Sequence, residues 1–239
     1  MNHSSSSTSP DAILFDFGGT LDADGLPWSA RFHTAYLAAG GRLPFARFAS
    51  VFTESDERLA VIAGIRALGF RATLDLQATL LFGLLRDQGE RFDPERVAST
   101  VHGAAVATVT RNRPLLAQLA ATQPLGVVSN FTGNLVPCLD ELELRAPFTT
   151  ICDSGVMGIE KPDPAIFRAA LATLKARPRA SWMIGDNPDA DIIPASALGL
   201  RTCWLAPSYD RRSLPDGVPT ARIASLVALP DLLGVPCTA

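Results

Sequence analysis

One apolar run stands apart from every other in this chain. Ala12-Ile13-Leu14-Phe15, bounded by Pro10 and by Gly18-Gly19, has the length and composition of a buried strand. From position 27 to about 109 no second strand follows, because the periodicity there is helical. Residues 27–39 place Trp28, Phe32, Ala35, Tyr36 and Ala39 at helical spacing and stop at Gly40-Gly41. Residues 44–63 repeat the pattern through Phe45, Phe48, Phe52 and Leu59, with 53–58 polar enough to predict a break. Residues 73–86 are apolar on one side (Leu76, Leu80, Leu84). Asp93-Pro94-Glu95 then supplies a cap and a first-turn proline for a helix ending near Val109.

Strand and helix alternate only after that block. Strands are predicted over 125–128, 149–152, 182–184, 201–205 and 221–225. Helices are predicted over 114–121, 135–142, 165–175, 192–198 and 226–233. A lone strand, four helices and then βα repeats fit an α/β fold: a parallel sheet with helices on both faces, its first strand separated from the rest by an inserted all-helical cap. The expected division is a tail at 1–10, a discontinuous core at 11–24 and 110–239, and a cap at 25–109. Hinges are expected at 22–26 and 110–113.

In a parallel sheet every strand's carboxyl end faces the same side. Asp16, Ser129, Asp186 and Asp191, with Lys161 from a loop, are therefore expected to meet there. Singly each has an ordinary role: Asp16 closing a turn, Ser129 capping a helix, Lys161 in solvent, Asp186 and Asp191 in turns before a helix. Recurrence at successive strand ends is what points to a site. Three converging carboxylates repel one another and call for a cation, and an all-oxygen set suits Mg²⁺ with substrate phosphate. Lys161 and the Ser129 hydroxyl offer a charge and a donor to a phosphoryl group. Asp16 is the candidate nucleophile, since a carboxylate can attack phosphorus to form an aspartyl-phosphate.

Composition narrows the classes. Of 239 residues 47% are hydrophobic and 19% charged, enough for a sizeable core and too apolar for global disorder. The net charge is −3 and no Lys/Arg block forms a footprint for nucleic acid or a membrane surface. No apolar run approaches the ~18 residues of a membrane span. The opening 1–10 is Ser/Thr-rich, without the apolar stretch of a signal peptide, and is expected to be disordered. Cys138, Cys152, Cys203 and Cys237 lack metal-binding spacing and read as small hydrophobes of a reducing cytosol. A cytoplasmic protein acting on a small phosphorylated metabolite is the expectation.

Four motifs in order resemble the haloacid dehalogenase-like (HAD) hydrolases across roughly 11–235. Phe15-Asp16-Phe17-Gly18-Gly19-Thr20-Leu21 looks like the first and Val127-Val128-Ser129-Asn130 like the second. Lys161 in Glu160-Lys161-Pro162-Asp163-Pro164 looks like the third. Ile184-Gly185-Asp186-Asn187-Pro188-Asp189-Ala190-Asp191 is similar to the fourth. The resemblance implies a Rossmann-like core, a helical cap, Mg²⁺ and phosphate monoesters as the commonest substrates. It implies a metal held by Asp16, the Gly18 carbonyl and Asp186, with Asp191 supporting, and substrate contacts from Ser129, Asn130 and Lys161.

One position departs from that pattern. Phosphatase members carry a second Asp two residues after the nucleophile to protonate the leaving group, and here Gly18 stands there. Asp22 and Asp24 are the nearest alternatives, though both also read as linker residues. Two further readings therefore stay open: a 2-haloacid dehalogenase-type hydrolase, and a catalytically impaired member that binds a phosphorylated ligand or a partner. Family dehalogenases, however, do not keep the Gly-Asp metal motif that survives here as Gly185-Asp186. Arg31, His33, Arg58, Arg66 and His102 are the candidates for cap contacts to substrate.

Overall fold

The computed structural model describes residues 10–234. Six parallel strands form one sheet: β1 (Ala12–Phe15), β2 (Leu125–Ser129), β3 (Phe148–Asp153), β4 (Ser181–Gly185), β5 (Arg201–Leu205) and β6 (Ala221–Ile223). Their order is β3-β2-β1-β4-β5-β6, which puts β1 at the centre. Phe15 pairs with Val127 on one side and Ile184 on the other, so β1, β2 and β4 end at nearly the same level. The order reverses between β1 and β4, the place where an open α/β sheet leaves a crevice for ligand.

The central strand is apolar throughout because both its faces are covered. Ile13 and Phe15 enter one cluster with Leu116, Leu119, Leu135 and Cys138, while Ala12 and Leu14 enter another with Ile166, Phe167 and Ala170. This alternation is the two-residue period of a strand. The second cluster is supplied largely by a helix over Pro164–Leu174. It starts where sequence places it, with Asp163 accepting from the Ala165 N–H and Pro164 at its first position.

Four helices separate β1 from β2: α1 (Trp28–Ala38), α2 (Phe45–Ala60), α3 (Phe70–Asp87) and α4 (Pro94–Ala120). Two expectations are corrected here. Helix α2 runs unbroken through its polar stretch at 53–58. The expected hinge at 110–113 lies inside α4, a single 27-residue helix with Pro114 in its interior. Sequence inspection sees Arg111-Asn112-Arg113-Pro114 as a polar break, but tertiary contacts hold each polar group. Arg111 pairs with Asp24 at 2.6 Å, Arg113 pairs with Glu143, and Asn112 is fully buried.

Cap and sheet share one hydrophobic cluster, in which Phe17 of the loop after β1 meets Phe70 of α3 and Phe131 edge to face. Among the described residues no helix is long and apolar enough to cross a membrane. Cys138, Cys152 and Cys203 are buried and unpaired, and burial pushes the thiols of Cys138 and Cys203 up to about 12. They sit as the small hydrophobes expected. Cys237 and all but Pro10 of the expected tail lie outside the described residues.

Candidate active site

The loop after β1 is shaped by what it must approach. Gly19 has φ +90°, and a Cβ there would lie 2.5 Å from Asp186 Oδ2, so only glycine lets the turn close against that carboxylate. Asp22 locks the turn, accepting from the Gly19 N–H at 2.7 Å, Trp28 Nε1 at 2.9 Å and Arg31 Nη1 at 2.6 Å. At the end of β4, Gly185 leaves the space into which the Asp191 side chain folds back.

These devices gather Asp16, Ser129, Lys161, Asp186 and Asp191 at the edge of β1, β2 and β4, none more than 7% exposed. Lys161 Nζ donates to Asp16 Oδ1 and to Asp191 Oδ1, both at 2.6 Å. Ser129 Oγ donates to the same Asp16 Oδ1 at 2.9 Å. Asp16 Oδ2 has no hydrogen-bond partner among the described residues. Asp186 receives Thr20 Oγ1 at 3.2 Å. The Asn130 side chain is tied to the Lys161 backbone: its Oδ1 accepts from the Lys161 N–H at 2.7 Å and its Nδ2 donates to the Lys161 carbonyl at 2.8 Å, so it positions the lysine while the residue still borders the crevice.

Charge at this edge is unbalanced. Burial opposes the charged form of Lys161, but Asp16 and Asp191 more than offset it and raise its pKa. Burial, then repulsion from Asp16 and Asp191, holds the Asp186 carboxyl well above the usual carboxylate range. Burial likewise raises Asp191 to about 6 although Lys161 pulls it down. Asp16, Asp186 and Asp191 place an oxygen each within 4.8 Å of one another. Three carboxylates against one ammonium leave a buried excess of negative charge, and hard oxygen donors of this kind fit a divalent cation such as Mg²⁺.

A cleft of about 360 Å³ opens beside this edge. Gly18 and Asn130 border both the cleft and the crevice that holds Asp16, so the two spaces adjoin. The backbone at Gly18 is ordinary (φ −73°, ψ 116°), and the space its missing side chain would take faces the Trp28 indole, with Nε1 3.3 Å from a built Cβ. Asp22 and Asp24, the nearest carboxylates in sequence, are both engaged away from this space. Asp22 is fully buried and fully bonded, and Asp24 is held by Arg111 and the Leu226 N–H beside a different cavity.

None of the cap residues anticipated from sequence lines the cleft. Arg31 is spent on Asp22, His33 on the Leu43 carbonyl, Arg58 on Glu54 and Arg66 on the Gly155 carbonyl, while His102 lies beside Glu141. Trp28, Phe52, Asp56 and Glu57 form the cap side instead. The missed signal is the polar run at 53–58 inside an amphipathic helix, which marks a face turned toward a cleft rather than a break.

The sequence profile of a family described as haloacid dehalogenase-like hydrolase matches residues 10–199. A phosphoserine phosphatase of Thermus thermophilus is 30% identical over 85% of this chain and 80% of its own length. A phosphoglycolate phosphatase of Rhodospirillum rubrum is 28% identical over 95% and 92%. The crystal structure of a 2-haloacid dehalogenase from Pseudomonas syringae aligns with a TM-score of 0.55 at 26% identity, over 94% of this chain and 98% of that one.

Proposed function

The chain belongs to the haloacid dehalogenase-like hydrolases, and from that premise we propose that it hydrolyses a small phosphate monoester through an aspartyl-phosphate on Asp16. One observation carries the reading: Lys161 and Ser129 both grip Oδ1 of Asp16, leaving Oδ2 free at the mouth of a buried acidic crevice. Asp16 attacks phosphorus, forming an O–P bond as the bond to the leaving oxygen breaks. Lys161 and Ser129 orient the nucleophile and meet the charge on the phosphoryl oxygens. Asp16, Asp186 and the Gly18 carbonyl would hold Mg²⁺, with Asp191 supporting; when bound it supplies charge stabilisation to the transferring group. The Gly18 position offers no acid, so the leaving oxygen takes its proton from water. Water then attacks the aspartyl-phosphate and releases phosphate.

The test is a screen of phosphorylated metabolites with and without Mg²⁺, with the Asp16→Asn protein as control. Turnover is expected only with metal and with Asp16 intact. Fluoroberyllate, a mimic of the aspartyl-phosphate, is expected to bind the unmodified protein and not the variant. The likeness to a 2-haloacid dehalogenase gives the second reading its place. Halide release from 2-chloropropionate in chelator would establish that reading and remove the phosphatase.

A further inference from the structure

The cleft behind Gly18 carries charge of one sign. Asp56 and Glu57 of α2 and Glu160 beside Lys161 line it, and no Lys, Arg or His does. These three carboxylates are open to the water of the cleft, and none has a hydrogen-bond or ion-pair partner among the described residues. Cations in the neighbourhood are committed elsewhere: Arg58 to Glu54, Arg66 to the Gly155 carbonyl, and Lys161 to Asp16 and Asp191. The pKa of Asp56 is raised, first by desolvation against the cleft wall although the residue keeps contact with water, then by the adjacent Glu57.

Three aromatic residues share the remaining wall with Leu59, Thr73, Thr132 and Ser154. Trp28, Phe52 and Phe131 line the same space, and the rings of Trp28 and Phe131 meet at 5.8 Å and 89°. Meeting edge to face, the two rings make a corner, and an aromatic face open to the cleft attracts an alkylammonium ion. The cleft adjoins the Asp16 crevice at Gly18 and Asn130, so on the phosphatase reading it is the space open to the leaving group of an ester held at Asp16.

We propose that the substrate is the phosphate monoester of an amino alcohol, its ammonium group held between Asp56, Glu57 and Glu160 and the Trp28–Phe131 corner. This rests on the phosphatase reading of the strand edge. A leaving group bearing a carboxylate would meet three unpaired like charges and no counter-charge on the lining. An ammonium two carbons from the ester oxygen also withdraws electrons and stabilises the departing alkoxide. It thereby offsets part of what the missing acid at Gly18 would supply, and the alkoxide then takes its proton from water.

The test compares two ligands of similar length and opposite terminal charge, 2-aminoethyl phosphate and carboxymethyl phosphate, titrated by calorimetry in Mg²⁺ into the Asp16→Asn protein. The ammonium ester is expected to bind at least about tenfold more tightly, the scale of two partly exposed charge pairs. Asp56→Asn combined with Glu57→Lys, both at exposed positions, is expected to reverse the order. The kcat/KM ratio in the unmodified protein is expected to show the same preference. Equal affinities, a preference for the carboxylate, or no measurable binding of the ammonium ester overturns the proposal, whatever turnover shows. Hydrolysis of 4-nitrophenyl phosphate separates the two ideas. Turnover without the charge preference defeats the inference alone, and the preference without turnover of any ester defeats the phosphatase reading alone.

Discussion

The strand edge and the helical wall facing it are built on opposite rules. At the edge Asp16, Ser129, Asn130, Lys161 and Asp191 are tied to one another by hydrogen bonds of 2.6–2.9 Å. Across the cleft the carboxylates of Asp56 and Glu57 have no partner among the described residues. On the proposed reading the difference is one of purpose. Groups that act on the reacting phosphorus gain from being fixed beforehand, because no reorganisation is then needed at the moment of reaction. Groups that sort leaving groups gain from standing open, since a ligand of the wrong charge then finds no partner.

The largest expected effect breaks the fixed side. Asp16→Asn is expected to lower kcat by at least about 10⁴-fold, the scale of losing a covalent nucleophile, with the circular dichroism spectrum retained. A near-normal rate would remove Asp16 from the chemistry.

The next sharpens the border between the two regions. Without an acid at Gly18, kcat/KM should fall steeply from aryl to alkyl phosphates, by up to roughly 10²–10⁴. Gly18→Asp is expected to flatten that slope by accelerating alkyl esters. The backbone there is one any residue adopts and a Cβ needs Trp28 to give a few tenths of an ångström, so the variant's circular dichroism spectrum is checked before its rates are compared. A flat slope in the unmodified protein would assign proton donation to the cleft wall, with Asp56→Asn the variant that restores the slope.

Lys161→Met tests how far the edge depends on its one cation. The variant leaves Asp16 and Asp191 uncompensated in a buried site, a loss of about 3–5 kcal/mol by the usual scale of a broken buried pair. Denaturant unfolding would measure it. A loss no larger than that of an exposed pair would show that the crevice is wetter than its burial implies.

The smallest effect lies on the surface, where hydrogen bonds from Arg177 hold Asp11 at about 2 against an ordinary 3.8. A carboxylate with a depressed folded pKa stabilises the fold above its unfolded pKa and loses that contribution as pH falls through the folded one. Asp11→Asn should therefore be slightly less stable than the unmodified protein at pH 6, with the gap shrinking as pH falls toward 2 and closing only below it. Denaturation midpoints at pH 6 and pH 2 would check it. A difference as large at pH 2 as at pH 6 would mean the contact acts through packing rather than charge.

Much of this was legible in residue order. The isolated strand at 12–15, the strandless helical block and the later alternation required a parallel sheet with an insertion, because apolar runs and helical periodicity are local properties. Parallel strands then carried Asp16, Ser129, Asp186 and Asp191 to one edge by topology alone. The Gly18-Gly19 pair announced a turn after the first strand without saying what pressed against it.

Tertiary structure decided the rest, for a physical reason common to each case. Whether 110–113 broke its helix depended on partners distant in sequence, Leu21, Asp24 and Glu143 for the residues at 111–113, while the polar run at 53–58 stays helical with Asp56 and Glu57 on the cleft. Asp22 locks the turn because Arg31 and Trp28 of the first cap helix reach it. Asn130 holds Lys161 because the Lys161 backbone passes within 2.7 Å of it. Residue type and spacing determine what a side chain can do, whereas its role is settled by which charges and donors the fold brings within hydrogen-bond reach.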